Sequence, residues 1–201
     1  PLQATPIKEK IGFFGGSFDP IHNGHVEMAR EIIGQTSLDY ILFCPARQAP
    51  LREKPHHASP AHRLAMVAAA VEKHDDLEVT DIEIRNEDDF NYTNDTIKQL
   101  REQKPTSDIS LILGADKLAQ LPRWRYVKNL VEENEFIVLA RPGYETAPPV
   151  DLPKLRLRTC ETNEFDVSST EIRRLISDGQ PFEHLVPNPV ASYIQENNLY
   201  R

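Results

Sequence analysis

The chain has 201 residues, of which 39% are hydrophobic and 27% charged, a composition typical of a globular protein with one domain. Its formal net charge of −8, from 23 basic and 31 acidic residues, disfavours general binding to nucleic acid. Its longest unbroken apolar run, residues 64–71, is too short to span a membrane, so we expect no membrane partner.

Residues 1–10 are polar, contain proline and lack the apolar core of a secretory signal. We therefore expect a flexible leader over residues 1–10 and a single domain over residues 11–201. The two cysteines, Cys44 and Cys160, form neither a disulfide framework nor a metal cluster. They are expected to be buried and inert, which favours a reducing cytoplasm. The sequence leaves a homo-oligomer open.

Apolar runs that are typical of strands alternate along the chain with helical patterns. Strands are predicted at residues 11–14, 40–44, 77–84, 109–113, 136–140 and 155–159. Helices are predicted at residues 26–33, 61–72, 94–101, 117–121, 126–132 and 168–178, and a last helix begins after residues 188–189 and runs to about 197. This alternation indicates an α/β, Rossmann-like, doubly wound fold with a mainly parallel sheet and C-terminal helices.

Residues 15–25 read Gly-Gly-Ser-Phe-Asp-Pro-Ile-His-Asn-Gly-His and lie between the first strand and the first helix. Glycines let the backbone approach a ligand closely, and the helix adds the positive end of its dipole. His22 and His25 are expected to face one way and donate to a single phosphate. The spacing matches neither G-x-G-x-x-G nor a Walker loop, so we expect imidazoles in place of a loop lysine.

Two plainer interpretations of residues 15–25 stay open. The two histidines could bind zinc with Glu27 as a third ligand, although no cysteine or further histidine is close in sequence. A Gly-Gly pair can also mark an ordinary turn. The joint occurrence of strand, turn, two histidines and helix favours a phosphate site.

Two motifs in this chain resemble those of a known enzyme family. Residues 15–25 resemble the signature of nucleotidylyltransferases marked by [H/T]-x-G-H, and more narrowly that of bacterial nicotinate-nucleotide adenylyltransferases. Residues 167–173, Val-Ser-Ser-Thr-Glu-Ile-Arg, are similar to the late I-S-S-T-x-I-R motif of the same family. The likeness continues through residues 92–96, 114–116, Trp124, 139–143 and 193–200, and so covers nearly all of residues 11–200.

One loop departs from the family pattern, which has P-P-H-[K/R] after the second strand. This chain has Ala49-Pro50-Leu51-Arg52 there, so the basic residue is kept and the histidine is replaced. One loop contact to substrate is therefore in question. Lys54, His56 and His57 follow closely and could replace it.

The resemblance implies a reaction and a set of site residues. AMP would pass from ATP, which carries Mg²⁺ on its phosphates, to nicotinate mononucleotide, with release of pyrophosphate, as a step of NAD biosynthesis. The implied catalytic residues are His22, His25 and Arg173, and no side chain is expected to bind the metal. The implied ATP site comprises Gly15, Gly16, Ser17, Phe18, His22, His25, Gly114, Asp116, Ser168, Ser169, Thr170 and Arg173. The implied mononucleotide site comprises Ser17, Arg52, Tyr92, Thr93, Trp124 and Arg141.

Several of these roles have simpler alternatives. Residues 168–170 could merely cap a helix, and Asp116 could be an N-cap instead of a ribose ligand. Trp124 could pack in the core, and the acidic run 81–89 is expected to be a solvated edge.

Two other functions also stay open. One is a sister adenylyltransferase that accepts phosphopantetheine or nicotinamide mononucleotide. The other is a nucleotide-binding sensor without catalysis.

Overall fold

The computed structural model of the protein describes residues 8–201 except residues 49, 52, 89, 141 and 142. The strands are β1 Lys10–Gly16, β2 Tyr40–Pro45, β3 Leu77–Val79, β4 Asp108–Gly114, β5 Glu135–Leu139 and β6 Arg156–Cys160. The helices are α1 Asn23–Gln35, α2 Pro60–Val71, α3 Ile82–Arg85, α4 Thr93–Gln103, α5 Ala115–Leu118, α6 Val127–Glu133, α7 Ser169–Ser177 and α8 Asn188–Glu196.

The strands form one parallel sheet in the order β3-β2-β1-β4-β5-β6, which confirms the predicted doubly wound α/β fold. Side chains alternate between the two faces of a strand, so the adjacent Phe13 and Phe14 of β1 enter different core clusters. Residues of α1, α2, α7 and α8 pack with Phe14, and residues of α4 and α6 pack with Phe13. The strand order reverses between β1 and β4, which is where a doubly wound sheet opens a ligand crevice at its carboxyl edge.

The predicted strand over residues 77–84 is wrong beyond Val79. The chain turns into α3 instead, because Thr80 Oγ1 accepts from the Ile82 N–H at 3.4 Å. Asp81 and Arg85 then form an ion pair of 2.8 Å one turn apart. The predicted helix over residues 117–121 is likewise shorter: α5 ends at Leu118, and a 3-10 turn follows over Leu121–Arg123.

The start of α2 agrees with the sequence signals, whereas α1 begins at Asn23, three residues before the predicted start, because His22 caps it there. Ser59 caps α2 by accepting from the His62 N–H at 3.2 Å, and Pro60 is its first residue. Both cysteines are buried, as predicted, and burial raises the pKa of both thiols.

The predicted leader falls mainly outside the described residues, which begin at residue 8, and β1 already starts at Lys10. No helix in the described part of the chain combines the length and apolarity that a bilayer crossing requires.

Candidate active site

The loop after β1 is shaped by the close packing of Phe18 on Gly16. A Cβ at Gly16 would lie 2.9 Å from Phe18 Cζ, so a larger residue would displace the ring. Phe18 itself has a left-handed backbone, with φ of 46°. Its ring meets the His25 ring edge-on, with 5.1 Å between centroids. The turn predicted from small residues is thus a packed support for His25.

His22 and His25 form a reciprocal cap at the start of α1. His22 Nδ1 accepts from the His25 N–H at 3.3 Å, and His25 Nδ1 accepts from the His22 N–H at 3.2 Å. The two rings stack with 3.7 Å between centroids. Because both Nδ1 atoms accept hydrogen bonds, each neutral ring carries its proton on Nε2.

The two histidines therefore have different positions. The His25 ring lines the cavity described below, whereas His22 is 5% exposed and lies behind it without lining the cavity. Gly24 makes this stacking possible, since a Cβ there would lie 3.0 Å from the His22 ring and 2.9 Å from Val167 Cγ1. The zinc alternative gains no support, because no group of three histidine, cysteine or carboxylate side chains suited to a metal occurs among the described residues.

The second motif meets the first at the N-terminus of α7. Ser169 Oγ donates to the Pro20 carbonyl at 2.8 Å. Arg173 Nη1 donates to the Asp19 carbonyl at 2.7 Å, and its Nη2 donates to Thr170 Oγ1 at 3.3 Å. Two motifs about 150 residues apart in sequence thus form one site. The capping alternative is right for Ser168 alone, whose Oγ accepts from the Glu171 N–H at 3.1 Å and which does not line the cavity.

Asp19 joins this loop to two distant segments. Its carboxylate is 2% exposed and accepts from the N–H groups of His57 at 2.7 Å and Ala58 at 3.0 Å. The Tyr200 hydroxyl donates to the same carboxylate at 2.8 Å. Burial alone would raise the pKa of Asp19, but these hydrogen bonds and the charge of Arg173 hold it below its ordinary value.

The segment between β2 and α2 supports the same loop. His56 Nε2 lies 3.2 Å from Ser17 Oγ, so one of the basic residues after Leu51 contacts this loop without itself lining the cavity. Arg63, fully buried in α2, donates to the Ser17 carbonyl at 2.8 Å and to the Ala58 carbonyl at 3.3 Å. Arg63 could not be identified from the sequence, since a guanidinium that is buried in the fold looks like an ordinary surface charge in a helical pattern.

Three residues predicted to bind the mononucleotide lie in two segments: Tyr92 and Thr93 at the start of α4, and Trp124 directly after the 3-10 turn. Tyr92 is the N-cap of α4 and makes no side-chain cap bond. The Arg125 guanidinium lies 4.7 Å from the Tyr92 ring centroid and 4.9 Å from that of Tyr126. Arg125 thereby connects Tyr92 to the segment that carries Trp124.

Asp116 lies in the first turn of α5. Gly114 is the N-cap of that helix, so the N-cap alternative for Asp116 is wrong. The carboxylate folds back over Gly114, where a Cβ would lie 2.5 Å from Asp116 Oδ1. Only glycine leaves room for this side-chain position.

One cavity of about 810 Å³ brings these pieces together at the carboxyl edge of the sheet. Its wall includes most of the residues predicted from the sequence: Gly15, Gly16, Ser17, Phe18, His25, Tyr92, Thr93, Gly114, Asp116, Trp124, Ser169, Thr170 and Arg173. Pro50 and Leu51 also line it. Arg52 and Arg141, predicted to bind the mononucleotide, lie outside the described residues.

The interpretation of the acidic run 81–89 as a solvated edge is wrong at Glu83. This side chain is 7% exposed, belongs to the cavity wall and accepts from Thr96 Oγ1 at 2.8 Å. Burial raises its pKa to about 7, against the opposing effects of the Thr96 hydrogen bond and the charge of Arg63.

Known proteins match this chain over nearly its whole length. A family model described as cytidylyltransferase-like matches residues 13–175. A probable nicotinate-nucleotide adenylyltransferase of Opitutus terrae is 41% identical over 96% of this chain and 98% of the relative. The nicotinate-nucleotide adenylyltransferase of Bacillus subtilis is 35% identical over the same shares.

A solved structure supports the fold independently. The Plasmodium falciparum nicotinic acid mononucleotide adenylyltransferase complexed with NaAD aligns with a TM-score of 0.77 at 21% identity, over 96% of this chain and 97% of that one. By this fold and these sequence relatives, the chain belongs to the nicotinate-nucleotide adenylyltransferase family within the cytidylyltransferase-like proteins.

Proposed function

We propose that the protein transfers AMP from ATP to nicotinate mononucleotide and releases pyrophosphate, giving nicotinic acid adenine dinucleotide in NAD biosynthesis. The observation that carries this proposal is the meeting of the two motifs, residues 15–25 and 167–173, at one cavity, through the Arg173–Asp19 and Ser169–Pro20 hydrogen bonds. The family membership supplies the identity of the two nucleotides.

The chemistry needs little beyond alignment and charge stabilisation. The second pKa of the acceptor phosphate is about 6, so this group is mostly ionised at neutral pH and needs no general base. One of its oxygens forms a bond to the α-phosphorus of ATP, and the bond from that phosphorus to the bridging oxygen of the β-phosphate breaks. The electron pair leaves with pyrophosphate, and negative charge accumulates on the transferring group.

The cavity offers donors for that charge. His25, with its neutral-ring proton on Nε2, and the Arg173 guanidinium are the side chains proposed to contact the phosphates. The N-termini of α1 and α7 add oriented N–H groups. His22 is proposed to act through His25, because its ring stacks behind that of His25.

The remaining roles are proposed by position in the wall. Asp116 would bind the adenosine ribose, and Trp124 with Tyr92 would hold the pyridine ring. Mg²⁺ would enter with ATP on its phosphates, without a side-chain ligand. We propose a cytoplasmic location, because the two cysteines are typical of a reducing compartment.

The test is an acceptor survey. The protein is incubated with ATP, Mg²⁺ and one acceptor, and pyrophosphate is measured with nicotinate mononucleotide, nicotinamide mononucleotide or phosphopantetheine. We expect the highest kcat/KM with nicotinate mononucleotide. Pyrophosphate release with phosphopantetheine alone would establish the sister activity, and ATP binding without turnover of any acceptor would establish a sensor.

A further inference from the structure

Asn91 belongs to the cavity wall and carries a buried hydrogen-bond donor. Its side chain is 5% exposed and belongs to the cavity wall, directly before Tyr92. The Asn91 Nδ2 atom is buried, and it has no hydrogen-bond partner among the residues that the structure describes. A buried donor of this kind is costly unless a ligand satisfies it.

The orientation of the Asn91 amide is fixed by its neighbour Gln48. Asn91 Oδ1 accepts from the Gln48 N–H at 3.3 Å, and the Asn91 N–H donates to the Gln48 carbonyl at 3.1 Å. A backbone N–H can only donate, so the atom that faces Gln48 must be the amide oxygen. The NH₂ group is therefore the buried part of this wall residue that has no partner among the described residues.

The groups beside Asn91 favour an anion. α4 begins at Thr93, is 11 residues long, and receives no side-chain cap from Tyr92. The Asp95 N–H donates to the Tyr92 carbonyl at 2.9 Å, so the N–H groups of Thr93 and Asn94, with the helix dipole, are the ones that favour a negative ligand. The Arg125 guanidinium lies over the Tyr92 ring and also lines the cavity.

Asp95 also lies in the first turn of α4, but its carboxylate accepts from Asn94 Nδ2 at 3.3 Å and does not line the cavity. Glu83 is the nearby carboxyl group of the wall that could oppose an anion. Its Oε1 is engaged by Thr96, and burial raises its pKa to about 7, so a substantial fraction is neutral near neutral pH. A carboxylate ligand only accepts hydrogen bonds and matches a set of donors. A carboxamide would leave its own NH₂ group facing them.

We infer that Asn91 determines acceptor specificity by donating a hydrogen bond from Nδ2 to the carboxylate of the nicotinate ring. This role rests on the proposed function, which supplies the acceptor. Asn91 would add a side-chain donor to the N–H groups at the start of α4 and so favour nicotinate over nicotinamide mononucleotide.

The test compares the two mononucleotides in Asn91→Asp. Aspartate keeps an oxygen for the Gln48 N–H and replaces the NH₂ donor with a second, negatively charged oxygen. We expect kcat/KM for nicotinate mononucleotide to fall roughly 10- to 100-fold, the scale of a lost hydrogen bond to a charged group. The value for nicotinamide mononucleotide should fall less, because its amide can donate to the new carboxylate.

Two further variants make the test decisive. Asn91→Ala removes the donor without adding charge and should also lower the nicotinate-to-nicotinamide ratio of kcat/KM, which decides the matter if the aspartate variant does not fold. Asn86→Asp adds the same charge to the connection between α3 and α4, away from the cavity wall, and keeps the oxygen that accepts from the Asp88 N–H. Its ratio should equal that of the wild type.

The outcomes separate the two proposals. Suppose that the wild type is active but the nicotinate-to-nicotinamide ratio of kcat/KM is unchanged in folded Asn91 variants, or falls equally in Asn86→Asp. The role of Asn91 is then wrong, and the proposed function stands. A wild type that releases pyrophosphate with neither mononucleotide overturns the proposed function and this role with it.

Discussion

Glu83→Gln should make the stability of the protein less sensitive to pH. In the folded protein, burial raises the pKa of Glu83 from 4.5 to about 7, whereas the unfolded chain restores the ordinary value. The folded state therefore binds more protons between these values, and wild-type stability falls as pH rises through that window. The two pKa values differ by 2.5, and each pH unit of difference is equivalent to 1.36 kcal/mol, so the wild type loses about 3 kcal/mol of unfolding free energy across this window. Glutamine keeps an oxygen for Thr96 and carries no charge.

Urea unfolding at about pH 4 and pH 8 measures this effect. The free energy of unfolding of Glu83→Gln, relative to the wild type, should increase by about 3 kcal/mol between the two conditions. Glu78→Gln, at an exposed position of β3, should show no such increase. Parallel pH dependence in the wild type and Glu83→Gln would refute the argument that burial dominates the ionisation of Glu83.

Three further substitutions test the site. His25→Ala should lower kcat roughly 10²-fold, the scale for one transition-state donor, and near-normal turnover of a folded variant would contradict its role. Trp124→Ala should raise KM for the mononucleotide and leave KM for ATP little changed; equal effects on both substrates would mean that the indole only packs. Arg173→Lys should lower kcat roughly 10- to 100-fold, since lysine lacks the planar fork that bridges Asp19 and Thr170. The control Arg174→Lys should retain activity, because Arg174 pairs with carboxylates of its own helix away from the cavity.

The parts of the site that could be predicted from the sequence are those whose residues follow one another in the chain. Residues 15–25 combine the end of a strand, a turn and the start of a helix, and each local preference agrees with the structure. Residues 168–173 likewise carry, in one turn, a helix cap and the side chains of Ser169, Thr170 and Arg173 that line the cavity. The alternation of strands and helices was enough for the fold class, because a parallel sheet leaves few other arrangements.

The parts that sequence missed depend on burial, which spacing does not encode. Glu83 belongs to an acidic run that looks solvated, yet α3 directs it against Thr96 in the cavity wall. Asn91 looks like a loop residue, and only its pairing with Gln48 fixes the direction of its amide. Arg63 is a helical charge by pattern but is fully buried beneath the loop that it supports.

Asp19 explains why the site needs nearly the whole chain. Its carboxylate is bound by N–H groups that precede α2 and by the hydroxyl of Tyr200, 181 residues away, while its carbonyl accepts from Arg173. A buried carboxylate is stable in ionised form only when donors replace its water. The folding of the C-terminal segment and the shape of the loop between β1 and α1 are thus coupled through one side chain. The position of Arg173, which this loop fixes, depends on both.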